Sequence, residues 1–195
     1  YRIRVYRCNF LLRPLRAQEV CNGNKTSMNM RRQTPTNRQA SVVSEEQALA
    51  RLTTLCANTE HCSGEMLDKM KRWGLGEEAQ ARIMQHLINN RYVDDERYCR
   101  AFVRDKMEYC QWGRRKIEQA LYAKHIDRET RNAALDEIDD DAFVAILRPL
   151  IATKRRQTKA KSEYEMTMKL MRFAASRGFT IDQIRQCIDA PEDYP

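Results

Sequence analysis

The sequence predicts an all-α protein: three tandem three-helix units stacked into an elongated, curved array. Three observations carry this expectation. The 195 residues include only 6 Gly and 5 Pro, and no Pro falls between Pro35 and Pro149, so a long stretch is open to uninterrupted helices. Apolar residues recur at i, i+3 and i+4 spacing in three successive passes. The junctions Trp73-Gly74-Leu75, Lys124-His125-Ile126 and Arg177-Gly178-Phe179 can be laid over one another, their apolar members recurring at intervals of 51 and 53 residues.

Residues 1–43 form a basic N-terminal extension. Tyr1 to Leu15 is Arg-rich with some apolar content, suited to a short strand or helix, and residues 22–40 are polar and aperiodic, as in a linker. The first unit is expected over 44–93. Ser44 and Gln47 have capping-box spacing, and Ala48, Leu49, Leu52 and Leu55 mark the first helix. Met66, Leu67 and Met70 mark a second helix that stops at Gly74. Ala79, Ile83 and Leu87 mark a third, with Glu77 and Glu78 favouring its positive N-terminal end.

The second unit is expected over 94–140. Its helices carry Tyr98, Ala101, Phe102 and Val103, then Ile117, Ala120 and Leu121, then Ala134, Leu135 and Ile138, with Asp127 as a cap. The third covers 141–190. Phe143, Ile146, Leu147, Leu150 and Ile151 mark its first helix, with Pro149 a candidate kink. Leu170, Met171 and Ala174 mark the second, ending near Gly178. Thr180 and Gln183 repeat the capping-box spacing before Ile184 and Ile188, and residues 191–195 form a tail. In the second junction His125 stands where the others have Gly, so it is expected to bear modest backbone strain.

Charge is divided unevenly. Of the net charge of +8, all belongs to residues 1–43, which hold nine basic residues and the single acid Glu19; residues 44–195 balance 26 basic against 26 acidic groups. The high pI is therefore weak support for nucleic-acid binding by the helical body. The seven Cys (8, 21, 56, 62, 99, 110, 187) are odd in number and form no CxxC pair, which points to reduced thiols and a cytoplasmic location. Cys56, Cys99 and Cys187 fall within helical patterns as small buried hydrophobes. The three His are far apart, so no zinc site is expected, and no apolar stretch is long enough to span a membrane. The opening Tyr1 to Arg7 has neither an initiator Met nor the apolar centre of a secretory signal, and one reading of the chain is a piece of a longer protein. There is no Gly-rich phosphate loop, HExxH or nucleophile elbow, so no enzyme is expected and no cofactor.

Arg91-Tyr92-Val93-Asp94-Asp95-Glu96-Arg97-Tyr98, together with the three-helix units, resembles the RecX regulatory proteins of bacteria. The family's usual form is Gly-Tyr-[Leu/Ile/Val]-Asp-Asp, a polar or acidic residue, Arg and an aromatic; here Arg91 replaces the Gly, which puts the family's positive-φ turn there in doubt. Trp112-Gly113-Arg114-Arg115-Lys116-Ile117 matches the next feature, a Gly followed by basic residues and an apolar helix, and Cys62 through Gly74 matches the first-unit helix. The resemblance covers roughly residues 44–190. It implies a monomeric partner of the RecA recombinase filament on single-stranded DNA, one that inhibits filament extension, strand exchange and coprotease activity.

Asp94 and Asp95 stand at a helix start, where capping accounts for them better than metal or acid–base chemistry. Tyr92 and Tyr98 are expected in the core, Tyr92 anchoring the junction of units one and two. Arg97, Arg100 and Arg104 form a basic stripe continued by Arg114, Arg115 and Lys116. The stripe reads either as a solvated face or as a binding surface for an acidic groove or filament DNA. Arg114 to Lys116 stand at a helix N-terminus, where cations are locally unfavourable, a weak pointer to an external purpose. Lys154, Arg155 and Arg156, with Lys159 and Lys161, are expected in the loop between helices seven and eight, suited either to phosphate contact or to plain solvation. Trp112 is expected partly exposed and is the preferred aromatic anchor of an interface. A helical module binding DNA directly, without a recombinase, is the alternative function, and weak direct DNA contact fits either reading.

Overall fold

The computed structural model describes residues 43–188. Residues 1–42, and with them the expected strand or helix and linker, lie outside the described residues. Among these residues every regular element is a helix: α1 (Glu45–Asn58), α2 (Ser63–Arg72), α3 (Glu77–Asn89), α4 (Asp95–Glu108), α5 (Arg114–Tyr122), α6 (Arg128–Asp136), α7 (Asp140–Gln157), α8 (Glu163–Ser176) and α9 (Ile181–Ile188). They group in threes into an elongated array. α7 continues through Pro149, and α6 ends before Ile138, which lies in the turn that follows.

Short-range chemistry sets the helix ends. Ser44 Oγ accepts from Gln47 N at 3.3 Å, Asp94 Oδ1 from Arg97 N at 2.9 Å and Asp127 Oδ1 from Thr130 N at 2.8 Å. Thr180 and Gln183 cap each other, Gln183 N donating to Thr180 Oγ1 at 3.3 Å and Thr180 N to Gln183 Oε1 at 3.1 Å. The three superposable junctions share one backbone form: Gly74, His125 and Gly178 have φ of 76°, 59° and 90°. Each turns the next apolar residue inward, and Leu75, Ile126 and Phe179 are all buried.

The core has two parts. Ala48, Leu52, Met66, Met70, Ile83 and Leu87 fill the first unit. Units two and three share one core, in which Ile117, Leu121, Phe143, Leu147, Leu170 and Phe179 pack together; Cys62 joins it from the first unit. Among the described residues the cysteines are free thiols; Cys56, Cys62, Cys99 and Cys110 are buried and Cys187 partly so. Burial pushes the Cys62 thiol up to about 11 and the Cys99 thiol to about 12, which leaves both as weak nucleophiles.

One contact builds both seams. The start of a unit's second helix meets the turn between the second and third helices of the next unit. Gly113 N donates to Arg177 O at 2.8 Å and Arg115 N to Gly178 O at 3.1 Å, so the turn carbonyls satisfy N–H groups at the start of α5 that no side chain caps. At the first seam, Cys62 Sγ lies 3.9 Å from Lys124 O, and a Cβ on Gly64 would overlap that carbonyl. The outer ends differ from these seams. α8 closes its own start, Ser162 Oγ accepting from Glu165 N at 3.2 Å and Glu165 Oε2 from Lys161 N at 2.8 Å. The first unit's turn has, among the described residues, nothing within 4 Å of a Cβ placed on Gly74.

Candidate partner-binding surface

The expected basic stripe lies along α4, but its arginines differ in what they meet. Arg97 Nε donates to Glu60 Oε1 at 2.7 Å and its Nη2 to Arg91 O at 3.3 Å, tying α4 to the first unit. Arg100 Nε donates to Glu137 Oε1 at 2.8 Å, with Glu96 at 3.5 Å. Arg104 has no ion pair among the described residues. It borders a groove of about 500 Å³ between α4, α6 and α7. Val103, Met107, Ile138, Ile146 and Pro149 give this groove an apolar floor, and Arg100, Glu108 and Glu137 help form its rim.

The cations at the start of α5 have partners the sequence did not disclose. Arg114 Nη1 donates to Leu135 O at 3.0 Å and Nη2 bonds Asp136, so Arg114 sits at the C-terminal end of α6, where positive charge is favourable. Arg115 is exposed. Lys116 Nζ lies 4.6 Å from the centroid of the Trp112 ring, and Lys106 Nζ lies 5.0 Å from it. Trp112 is half-buried, Gly113 abuts the Gly178–Phe179 peptide and Ile117 is fully buried.

The structure corrects the placement of the second basic cluster. Lys154, Arg155 and Arg156 form the last turn of α7 and not a loop, again at a helix end that favours cations; Lys159 and Lys161 do lie in the connection. Lys154 Nζ lies 5.3 Å from the Phe173 ring centroid, Arg155 Nη2 donates to Glu163 at 2.8 Å, and Arg156 is exposed.

Tyr92 also departs from expectation. It is exposed, at 36%, while Val93 is buried at 3%. The cause is the turn after α3: Tyr92 N donates to Leu87 O at 2.8 Å, closing a Schellman motif with Arg91 at φ 56°. Unlike the turns at Gly74 and Gly178, where the residue after the positive φ is buried, this one also has Val93 N donating to Leu87 O at 3.2 Å, and Val93 is the residue that enters the core. Arg91 therefore keeps the positive-φ turn that its side chain had put in doubt.

Tyr98 is buried as expected and belongs to a polar node at the first seam. Its hydroxyl lies 3.4 Å from Glu65 Oε1; Glu65 also bonds Lys124 Nζ, and its Oε2 lies 2.8 Å from His61 Nδ1. Burial opposes ionisation of Glu65, but hydrogen bonds and charge from His61 and Lys124 outweigh it and hold the carboxyl down at about 2. Burial, reinforced by the Glu65 charge, pushes the Tyr98 phenol up. Asp95 does not cap its own helix. It accepts from Ser63 N at 2.7 Å and from Ser63 Oγ, and so caps α2 of the preceding unit. Among the described residues no group of His, Cys, Asp and Glu is placed to hold a metal ion.

Two family models match this chain: the second three-helix domain of RecX over residues 94–135 and the third over 140–188. The chain belongs to the RecX family. A RecX regulatory protein of Caldanaerobacter subterraneus is 26% identical over 126 residues, a match spanning 64% of this chain and 60% of the relative. One from Mycobacterium sp. strain KMS is 28% identical over 140 residues, spanning 70% of this chain and 76% of the relative. A crystal structure of RecX from Lactobacillus salivarius superposes with a TM-score of 0.70 at 21% identity, covering 74% of this chain and 94% of that one. A second RecX crystal structure gives a TM-score of 0.70 at 19% identity, covering 75% and 73%. At these identities the two structures are likenesses of fold.

The RecX pattern makes the Arg91 position a direct test of turn chemistry. Arg91→Gly removes the Cβ penalty of the left-handed conformation and is expected to stabilise the chain by about 1 kcal/mol, read as a raised midpoint in urea unfolding. An unchanged or lowered midpoint would show that Arg91 is held by more than its turn.

Proposed function

We propose that this chain is a non-enzymatic, monomeric cytoplasmic regulator that binds the RecA recombinase filament on single-stranded DNA. It limits filament extension, strand exchange and coprotease activity by lying in the filament groove. The observation that carries this reading is the tandem match of the second and third RecX domains. The continuous core shared by units two and three supports it, because a stiff array can touch adjacent filament subunits at once and gain avidity. The units act over 44–93, 94–140 and 141–190, with 1–43 as an extension.

The groove beside Arg104 is the contact surface that best fits this role. Its apolar floor suits a partner side chain, and Arg104 borders it with no ion pair among the described residues. Arg97 ties unit two to unit one through Glu60, Arg100 and Arg114 pair within unit two, and Arg115, Lys116 and the Lys154–Arg156 turn present cations, with the Trp112 ring beside Lys116. The test is binding to RecA preassembled on single-stranded DNA with a slowly hydrolysed nucleotide, against bare DNA at the same salt. Saturable binding that exceeds bare DNA, reduced about tenfold or more by Arg104→Glu, is the expected result. No binding to the filament by the intact chain would overturn the reading.

A further inference from the structure

The groove between α4, α6 and α7 carries its charges in a fixed order. One wall is a face of α4, where Arg100, Arg104 and Glu108 stand on successive turns, about 12 Å end to end. Between them Val103 and Met107 turn into the floor, both buried, and Ile138, Ile146 and Pro149 continue it toward α7. Arg100 is engaged, by Glu137 at 2.8 Å and Glu96 at 3.5 Å. Arg104 and Glu108 differ from it. They are four residues apart on one helix, a spacing at which opposite charges can meet. Neither has an ion pair among the described residues, and both are exposed.

The walls of this groove are helices, and among the described residues no strand edge lies along it. An extended segment laid there would leave amide groups unpaired against apolar side chains. A helix satisfies its own backbone and presents only side chains. To complement the α4 wall it needs an apolar stripe flanked by a carboxylate facing Arg104 and, one turn away, a cation facing Glu108. The same two charges set its direction. With the carboxylate four residues before the cation it runs parallel to α4; with the order reversed it runs antiparallel. The chain's own residues 1–43 match this poorly, because their nine basic residues come with a single acid, Glu19, and would crowd cations against Arg100 and Arg104.

We propose that this groove receives an amphipathic α-helix of another protein, one that carries a carboxylate and a cation one turn apart along its apolar stripe. The proposal rests on the groove's role as the partner contact and adds what the contacted segment must be. Its test contains no recombinase, so the two readings can fail separately.

The test is selection of helical peptides of about five turns from a displayed library against the full chain, followed by fluorescence anisotropy with the synthetic peptides. The selected sequences are expected to share the apolar stripe with one acid and one base a turn apart. Arg104→Glu with Glu108→Arg keeps the net charge of the chain and is expected to weaken them about tenfold or more. A peptide with its acid and base exchanged is expected to recover that loss on the double variant and to bind the unaltered chain weakly. A purely structural role for the two residues would not reverse the preference. Circular dichroism checks that the double variant is folded; Arg104→Gln with Glu108→Gln, expected to bind both peptides alike, serves in its place if it is not. An empty selection, peptides that bind without either charge, or affinity untouched by a folded exchange would overturn the proposal. So would equal binding of a peptide of residues 8–20, which would give the groove to the chain's own extension, or a concentration-dependent dimer lost in the double variant, which would give it to a second copy.

Discussion

Alanine at Gly113 is expected to destabilise the chain by about 3 kcal/mol, a fall of roughly 6–12 °C in Tm. Gly113 has φ −82°, so Ala meets no backbone strain there. Its Cβ would instead overlap the peptide joining Gly178 to Phe179, and that peptide is anchored by the fully buried Phe179 ring. Neither side can yield without losing the hydrogen bonds from Gly113 N and Arg115 N to the turn carbonyls. Thermal unfolding followed by circular dichroism reads the result, and Gly74→Ala is the comparison. Gly74 has open space around it, so its cost is that of a positive φ alone, about 1 kcal/mol. Equal losses at the two positions would mean that the second seam contributes nothing of its own.

Glu65→Gln is expected to cost about 2–3 kcal/mol at neutral pH and to remove an acid-dependent step in stability. The folded carboxyl titrates at about 2, below its ordinary value of 4.5. A depressed carboxyl contributes stability that is fully present above about 4.5 and is lost as pH falls through the window down to about 2. The wild-type chain therefore weakens across that window through this group, and the Gln variant lacks that part of the slope. Urea midpoints measured between pH 5 and pH 2.5 check it. Parallel curves for the two proteins would show that His61 and Lys124 do not stabilise the ionised form.

Residues close in sequence made much of the fold legible. Ser44, Asp94, Asp127 and the Thr180–Gln183 pair cap helices within three positions of themselves, and periodicity marks the faces that become cores. The recurring junction disclosed the repeat and located His125 at its left-handed position. Contacts across helices left no such trace. Asp95 reaches back 32 residues to Ser63, and Glu65 meets Lys124 across 59. Spacing along α4 put Arg97, Arg100 and Arg104 on one face but could not show that Glu60 and Glu137, each 37 residues from its partner, occupy two of them. Tyr92 was misplaced because Val93 N as well as Tyr92 N bonds Leu87 O at this turn and Val93 is the residue buried, a backbone detail that side-chain pattern does not encode. The Lys154 seat on Phe173 was hidden because α7 and α8 must first pack.

Each seam joins unlike surfaces, a helix start on one unit and a turn on the next, so the array has a direction. A two-fold arrangement pairs a patch with itself, and this contact has no such patch. The two ends are accordingly unequal as attachment points. A unit grafted after residue 188 would meet α8, whose leading N–H groups Ser162 and Glu165 already engage. A unit grafted before residue 44 would find, among the described residues, nothing within 4 Å of a Cβ on Gly74. Lengthening this protein by design is thus a one-ended operation, and the end that accepts growth is the first unit's turn.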